Sequence, residues 1–129
     1  RGSIMIVLAT DAPLDARQLR RIAARAAAGL ARVGSHLGHG SGDFVIAFST
    51  AHRVPHATPE LTRTETVLLD EGRAMQWLFP GVVESVEEAV LNSLCRADTM
   101  MGRDGHVRHA LPIEQVCGLV NERGASARR

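Results

Sequence analysis

The chain of 129 residues contains no lysine and no tyrosine, and its aromatic side chains amount to three phenylalanines and one tryptophan. Without lysine it has no Schiff-base nucleophile and no phosphate-binding lysine of a P-loop. Its few aromatic rings offer little surface on which bases could stack. The 15 basic residues, all arginines, nearly balance 14 acidic ones and leave a net charge of +1. We therefore expect no nucleic-acid partner.

Cysteine and long apolar runs are also scarce. Cys95 and Cys117 are the only cysteines, and both fall in stretches that predict apolar helices, where a thiol usually acts as a small core side chain. No apolar run approaches the roughly 18 residues that cross a bilayer, and residues at the start of the sequence do not show the charged, apolar and cleavage-site regions of a secretory signal. We expect a cytoplasmic protein without membrane association. A periplasmic or secreted location stays open, because a preceding segment of a precursor could carry a signal.

The hydrophobic content of 45% supports a core, and the length fits a single domain over residues 1–129. Apolar runs at residues 4–9 and 44–48 predict strands that are buried on both faces. Helical spacing between them predicts one helix over residues 15–33, followed by a glycine-rich loop over residues 34–42. The order of these elements indicates an α/β fold.

The second half of the chain gives weaker patterns. Residues 64–69 are interpreted as an edge-like third strand. Pro80 is predicted to start a helix, because proline is not expected inside one. Pro112 opens a final short helix with Ile113, Val116, Leu119 and Val120 facing inward, and residues 124–129 are expected to form a loose tail.

The first strand, helix and second strand have matched lengths. A helix over residues 15–33 would span about 28 Å at 1.5 Å per residue, and a strand of seven residues about 23 Å. The helix can therefore return the chain along a whole strand, so the two strands are expected to be parallel neighbours. Their beginnings then share one edge of the sheet. This edge brings together Gly2 and Ser3 from one strand and Ser41 and Asp43 from the other.

A serine at a free chain terminus can use its own α-amine as a base, which makes its hydroxyl a better nucleophile. A preceding glycine suits self-cleavage, because it lets the hydroxyl reach the preceding carbonyl and tolerates strained backbone. Ser3 after Gly2 fits this chemistry. Equally, Ser3 could be a linker serine, and Ser41 and Asp43 could be turn residues that cap local backbone groups.

Several segments together resemble the DmpA/BapA family of L-aminopeptidase D-amidase/D-esterases and β-peptidyl aminopeptidases. The resemblance spans residues 2–120 in order and covers the C-terminal part of the family's precursor. The segments that carry it are GSIMIVLATDAPL at residues 2–14, GSGD at 40–43, AFSTA at 47–51, EAVLN at 88–92 and GRDGH at 102–106.

The resemblance implies a four-layered αββα sandwich like that of N-terminal nucleophile hydrolases. It also implies a precursor that cuts itself between Gly2 and Ser3, so that Ser3 becomes the nucleophile of an N-terminal exopeptidase. Ser41 matches the second serine that hydrogen-bonds at the nucleophile, and Asp43 matches the acidic position that orients the relay. The expected substrates are short peptides, amides or esters, including those of D- or β-amino acids, with no cofactor.

The resemblance further implies a larger N-terminal chain from the same precursor, which supplies the oxyanion-hole asparagine, and a higher oligomer of the two-chain unit. This chain alone should therefore be inactive. Two alternatives stay open. One is an uncleaved or non-catalytic relative that serves assembly, and the other is a metal-dependent hydrolase. The latter would use the histidine pairs His36 and His39, His52 and His56, and His106 and His109.

Overall fold

The computed structural model of the chain describes residues 2–126, and the chain divides into two compact units, Arg1–Glu88 and Ala89–Arg129. The first unit contains strand β1 (Ile4–Thr10), helices α1 (Ala16–Ala23) and α2 (Ala26–Arg32), strand β2 (Asp43–Ser49) and the first part of helix α3 (Glu71–Arg96). The second contains the end of α3, the short strands β3 (Met100–Met101) and β4 (Val107–Arg108), and helix α4 (Ile113–Ser126). The single domain expected from the length stays a prediction.

The two long strands form a parallel pair, as the sequence predicted. Ile4 lies opposite Asp43 at the start of the pair, and Thr10 lies opposite Ser49 at its end. The chain returns between them through α1 and α2, and α1 packs against β2. Both strands therefore begin at the same edge of the sheet.

The connection between the strands is two helices and not the one helix predicted over residues 15–33. Asp15 caps α1, because its side chain accepts a hydrogen bond from the Gln18 amide at 2.6 Å. After Ala23 the Arg25 amide donates to the Ile22 carbonyl, three residues back, at 2.9 Å. This tighter bond interrupts the α-helical ladder before α2 begins.

Helix α3 begins at Glu71, so the predicted start at Pro80 is wrong. Asp70 provides the earlier start, because its side chain accepts a hydrogen bond from the Arg73 amide at 3.1 Å. Pro80 lies inside the 26-residue helix. It removes one backbone donor, and the turns on either side continue the helix.

The third strand predicted over residues 64–69 is absent from the described residues. The segment is held instead against the start of α1, where the Leu68 amide donates to the Pro13 carbonyl at 2.9 Å. The Leu68 side chain packs on the core of the first unit. Leu68 is the one half-buried residue of the segment, and Val67 and Leu69 are exposed, so its branched and apolar composition indicated neither strand pairing nor general burial.

The second unit consists of a short hairpin and a helix. The hairpin turns at Arg103–Gly105, where Asp104 and Gly105 have positive φ angles of 56° and 74°.

Helix α4 continues to Ser126, so the predicted loose tail is helical at its start, and residues 127–129 lie outside the described residues. Of the residues expected to be buried in this unit, Val116 is half-buried, and the others are exposed: Ile113, Leu119, Val120, Cys95 and Cys117. No helix over residues 2–126 is long and apolar enough to span a membrane.

The core of the first unit lies where α1 meets α3 and the sheet. Leu14, Ile22 and Met75 are buried there, and Ala47 of β2 and Phe79 of α3 pack against them. On the other face of the sheet five large apolar side chains are 43–62% exposed: Met5, Val7, Phe44, Ile46 and Phe48. The sequence predicted that both faces of the strands are buried. Among the described residues, only the face that packs on the core is covered, and the opposite face is exposed.

A buried polar side chain connects α1 to the start of α3. Gln18 is 1% exposed, and its amide donates to the Leu68 carbonyl at 3.0 Å and to Glu71 at 3.2 Å. Glu71 also forms ion pairs with Arg17 and Arg21. Hydrogen bonds from Arg17 and Gln18 lower the pKa of the Glu71 carboxyl to about 2.

We expect Gly29→Ala to lower the thermal midpoint of the complete protein. A Cβ at Gly29 would lie 2.6 Å from the Val83 carbonyl oxygen and 2.8 Å from Val86 Cβ, so α2 and α3 would have to separate. Such overpacking costs about 1–3 kcal/mol. Gly81→Ala is the matched control, because a Cβ there meets nothing within 4 Å. An unchanged midpoint in Gly29→Ala would contradict the close helix contact.

We expect Glu71→Gln to lower the thermal midpoint at pH 7, and the difference from wild type to shrink as the pH falls. The folded-state pKa of Glu71 is about 2 and thus lies below the unfolded value, so its stabilisation is complete above about pH 4.3 and is lost toward pH 2. Thermal unfolding between pH 7 and about pH 2.5 measures this. Glu84→Gln, an exposed residue of the same helix, is the control. A difference that is constant with pH would refute the role of this carboxyl.

Candidate active site

The starts of the two parallel strands bring three polar side chains, Ser3, Ser41 and Asp43, to one end of the sheet. Because Ile4 lies opposite Asp43, the residues just before them, Ser3 and Gly42, are also neighbours. The Gly42 amide donates a hydrogen bond to Ser3 Oγ at 3.0 Å. Ser3 is otherwise exposed, so its hydroxyl is held in a defined position and remains accessible.

Ser41 contacts the bond that precedes Ser3. Its Oγ lies 2.6 Å from the Gly2 carbonyl oxygen and 2.6 Å from Asp43 Oδ1. A hydroxyl has one proton, so Ser41 donates to one of these oxygens at a time. Gly2 is joined to Ser3 in this structure, and the geometry is therefore that of the uncut peptide bond.

The loop before β2 positions Ser41 through its backbone. The Ser41 amide donates to the Gly38 carbonyl at 3.2 Å, and Gly40 turns the chain with a φ of 88° that favours glycine. At Gly42 a Cβ would lie 3.2 Å from the Phe44 ring and 3.7 Å from Ser3 Oγ. A side chain at position 42 would therefore press on the Phe44 ring, while its distance to Ser3 Oγ would be an ordinary van der Waals contact.

The structure brings together all the site residues that the sequence predicted. Gly2 and Ser3 lie beside Ser41 and Asp43, at the shared edge where both strands begin. Their catalytic roles stay predictions. The backbone amide of Gly42 was missed, because a glycine in a flexible loop gives no sequence signal for a donor aimed at a neighbouring strand.

The glycine-rich loop also forms a cavity of about 400 Å³ on the Gly2 side of the site. His36 and His39, one of the histidine pairs considered above as metal ligands, both line this cavity. In the part of the chain that the structure describes, no group of three or more His, Cys, Asp or Glu side chains could hold a metal ion. The metal-dependent alternative stays a prediction.

The geometry agrees with that of solved structures. The chain is 36% identical, with a TM-score of 0.81, to the L-aminopeptidase D-Ala-esterase/amidase of Ochrobactrum anthropi, a prototype for the serine aminopeptidases and a variant of the Ntn hydrolase fold. A protein from Pyrococcus horikoshii OT3 is 48% identical with a TM-score of 0.82. In both comparisons 95% of this chain is covered, and 34% of the other chain. The chain thus has the α/β fold of the Ntn hydrolases, as the resemblance implied.

The chain belongs to peptidase family S58, whose family model matches residues 1–108. Among curated relatives, the β-peptidyl aminopeptidase BapA of Sphingosinicella xenopeptidilytica is 40% identical over 124 residues, which is 95% of this chain and 30% of the relative. The resemblance to the DmpA/BapA family is therefore confirmed. The chain spans about 30% of the length of the curated relatives that it matches.

Proposed function

We propose that this chain is the nucleophile-bearing part of a self-processing serine aminopeptidase that releases N-terminal residues from short peptides, amides or esters. The observation that carries the proposal is the contact of Ser41 Oγ with the Gly2 carbonyl oxygen, at 2.6 Å. That carbonyl belongs to the peptide bond whose cleavage would give Ser3 a free α-amine. Membership of a peptidase family supports the chemistry.

In self-cleavage, Ser3 Oγ attacks the Gly2 carbonyl carbon and the bond between that carbon and the Ser3 nitrogen breaks. The hydroxyl proton ends on the nitrogen, which becomes the α-amine, and Gly2 is held as an ester on Ser3 Oγ. Water then hydrolyses the ester and releases the Gly2 carboxylate. Ser41 stabilises the attack by donating to the Gly2 oxygen, where negative charge develops.

In peptide hydrolysis, the new α-amine of Ser3 takes the proton from the hydroxyl as Oγ attacks the substrate carbonyl. The substrate's C–N bond breaks, the proton goes to the leaving amine, and the acyl group stays on Oγ until water removes it. Once Gly2 has left, the Ser41 hydroxyl retains Asp43 as its partner. Asp43 therefore orients Ser41 in peptide hydrolysis, whereas in self-cleavage the single Ser41 proton is donated to the Gly2 oxygen.

The proposed partner is a larger N-terminal chain of the same precursor. This chain spans only about 30% of its curated relatives, so most of the family's protein lies outside it. The exposed apolar face of the sheet, formed by Met5, Val7, Phe44, Ile46 and Phe48, is the surface that such a chain would cover. The larger chain would also supply the oxyanion-hole asparagine. Assembly of the two-chain unit into a higher oligomer stays a prediction.

The complete protein should cut itself before Ser3. Intact-mass measurement after expression is expected to show a smaller chain that begins at Ser3, and Ser3→Ala should leave the full-length mass, because it lacks the attacking hydroxyl. Ser85→Ala, an exposed serine of α3, is the control that should cut normally. A full-length wild-type mass without amidase activity would instead support a non-catalytic relative with an assembly role.

Removal of the Ser41 hydroxyl should slow self-cleavage by about 10²–10³-fold, as loss of a single oxyanion donor does. The measurement is the rate at which full-length Ser41→Ala converts to two chains on a denaturing gel. Ser41→Thr keeps a hydroxyl and should recover much of the rate. If Ser41→Ala cut as fast as wild type, the contact with the Gly2 oxygen would have no part in the reaction.

A further inference from the structure

Two short contacts link three oxygen atoms beside the bond that precedes Ser3. Ser41 Oγ lies 2.6 Å from the Gly2 carbonyl oxygen and 2.6 Å from Asp43 Oδ1. Such a separation is that of an O–H···O hydrogen bond, in which a proton lies between the two oxygens. Without that proton the facing lone pairs repel each other. The uncut site therefore needs two protons for these two contacts.

The three groups differ in the protons that they can supply. The Gly2 carbonyl has none, and the Ser41 hydroxyl has one. The second proton must come from Asp43, which is a donor only as a neutral carboxylic acid. If Asp43 is ionised, its carboxylate is the stronger acceptor and takes the Ser41 proton, so the Gly2 oxygen faces an oxygen without a proton. A neutral Asp43 satisfies both contacts.

The surroundings of Asp43 provide no counter-charge. Asp43 is half-buried and forms no ion pair in the part of the chain that the structure describes. It borders a cavity of about 360 Å³ whose other lining residues are Ser41 and apolar residues of both strands, the segment of α1 and α2, and the loop before β2. Ile4 lies opposite it on β1. The titratable side chains of the loop, His36 and His39, line the separate cavity beside Gly2.

Release of Gly2 removes one of the two contacts. Ser41 then has Asp43 as its remaining partner, and its own proton is enough for that single hydrogen bond. Asp43 can give its proton to water and accept from Ser41 as a carboxylate. The distance of 2.6 Å fits this form too, because hydrogen bonds from a hydroxyl to a carboxylate are about 2.5–2.7 Å long.

We propose that Asp43 is a neutral acid during self-cleavage, where it donates to Ser41 Oγ, and a carboxylate during peptide hydrolysis, where it accepts from Ser41. The inference rests on the proposed function. Asp43 is a positioning residue, because it acts on the Gly2 oxygen through Ser41. It keeps its own proton until Gly2 has left, and the Ser3 hydroxyl proton still goes to the Ser3 nitrogen. Acid therefore favours the cut, and hydrolysis requires the ionised form.

The test measures self-cleavage from pH 7 to about pH 4.5 in the complete precursor, folded with a photocleavable ether on Ser3 Oγ that light removes. The wild-type rate should rise as the pH falls. Asp43→Asn has a permanent N–H donor and should cut faster than wild type at pH 7. Its advantage should shrink by about tenfold or more toward pH 4.5, because the protonated fraction of an aspartate rises about tenfold per pH unit.

The processed proteins give the second readout. The kcat of Asp43→Asn for alanyl 4-nitroanilide should fall about tenfold or more, because the acceptor of the Ser41 proton is replaced by a donor. A purely structural role would slow both reactions. Asp11→Asn is the control that should match wild type in both, because Asp11 is exposed and follows β1 at the opposite end of the sheet.

The outcomes separate this inference from the proposed function. A wild-type precursor that cuts at the same rate at every pH, or an Asp43→Asn variant that cuts more slowly than wild type at pH 7, would overturn the inference and leave the self-processing aminopeptidase standing. Loss of the acid rise in His36→Ala/His39→Ala would assign it to these histidines and also overturn the inference. A precursor that cuts at no pH and hydrolyses no alanyl 4-nitroanilide would overturn both.

Discussion

The register of the parallel strand pair is the constraint on which the site depends. Ile4 is opposite Asp43, so the residues immediately before each strand meet at one edge of the sheet. A shift of one residue would turn the side chains of one strand to the opposite face. Ser3 would then lose its contact with the Gly42 amide, and the Gly2 carbonyl would lose its contact with Ser41. The same pairing thus defines the fold and aligns the reacting groups.

The parts of the structure that the sequence predicts well are those with short-range signals. Two apolar runs joined by a helical pattern were enough to predict a parallel pair, because a helix of that length returns the chain to the start of the first strand. The meeting of Ser3 with Ser41 and Asp43 follows from this topology alone. The resemblance to a family then supplied the roles that geometry cannot assign.

The errors have a common physical source, which is tertiary contact that overrides a local pattern. Proline usually ends a helix, yet α3 passes through Pro80 because its start is fixed by the Asp70 cap and the contacts of Glu71. Residues 64–69 have strand-like composition, but their backbone bonds to Pro13 and Leu68 packs on the core. The helix predicted over residues 15–33 is divided into α1 and α2 by a single tightened turn. The spacing of apolar residues continues across this turn and does not indicate it.

The parallel pair also bears on what a break in the chain before Ser3 would do. All seven residues of β1 have partners in β2, and the Gly42 amide holds the serine itself. The peptide bond to Gly2 precedes this ladder, and its carbonyl oxygen contacts the Ser41 side chain. A terminus created there would be anchored from its first residue and would not fray. Strand β1 would keep the register with β2 that it had before the bond between Gly2 and Ser3 was cut.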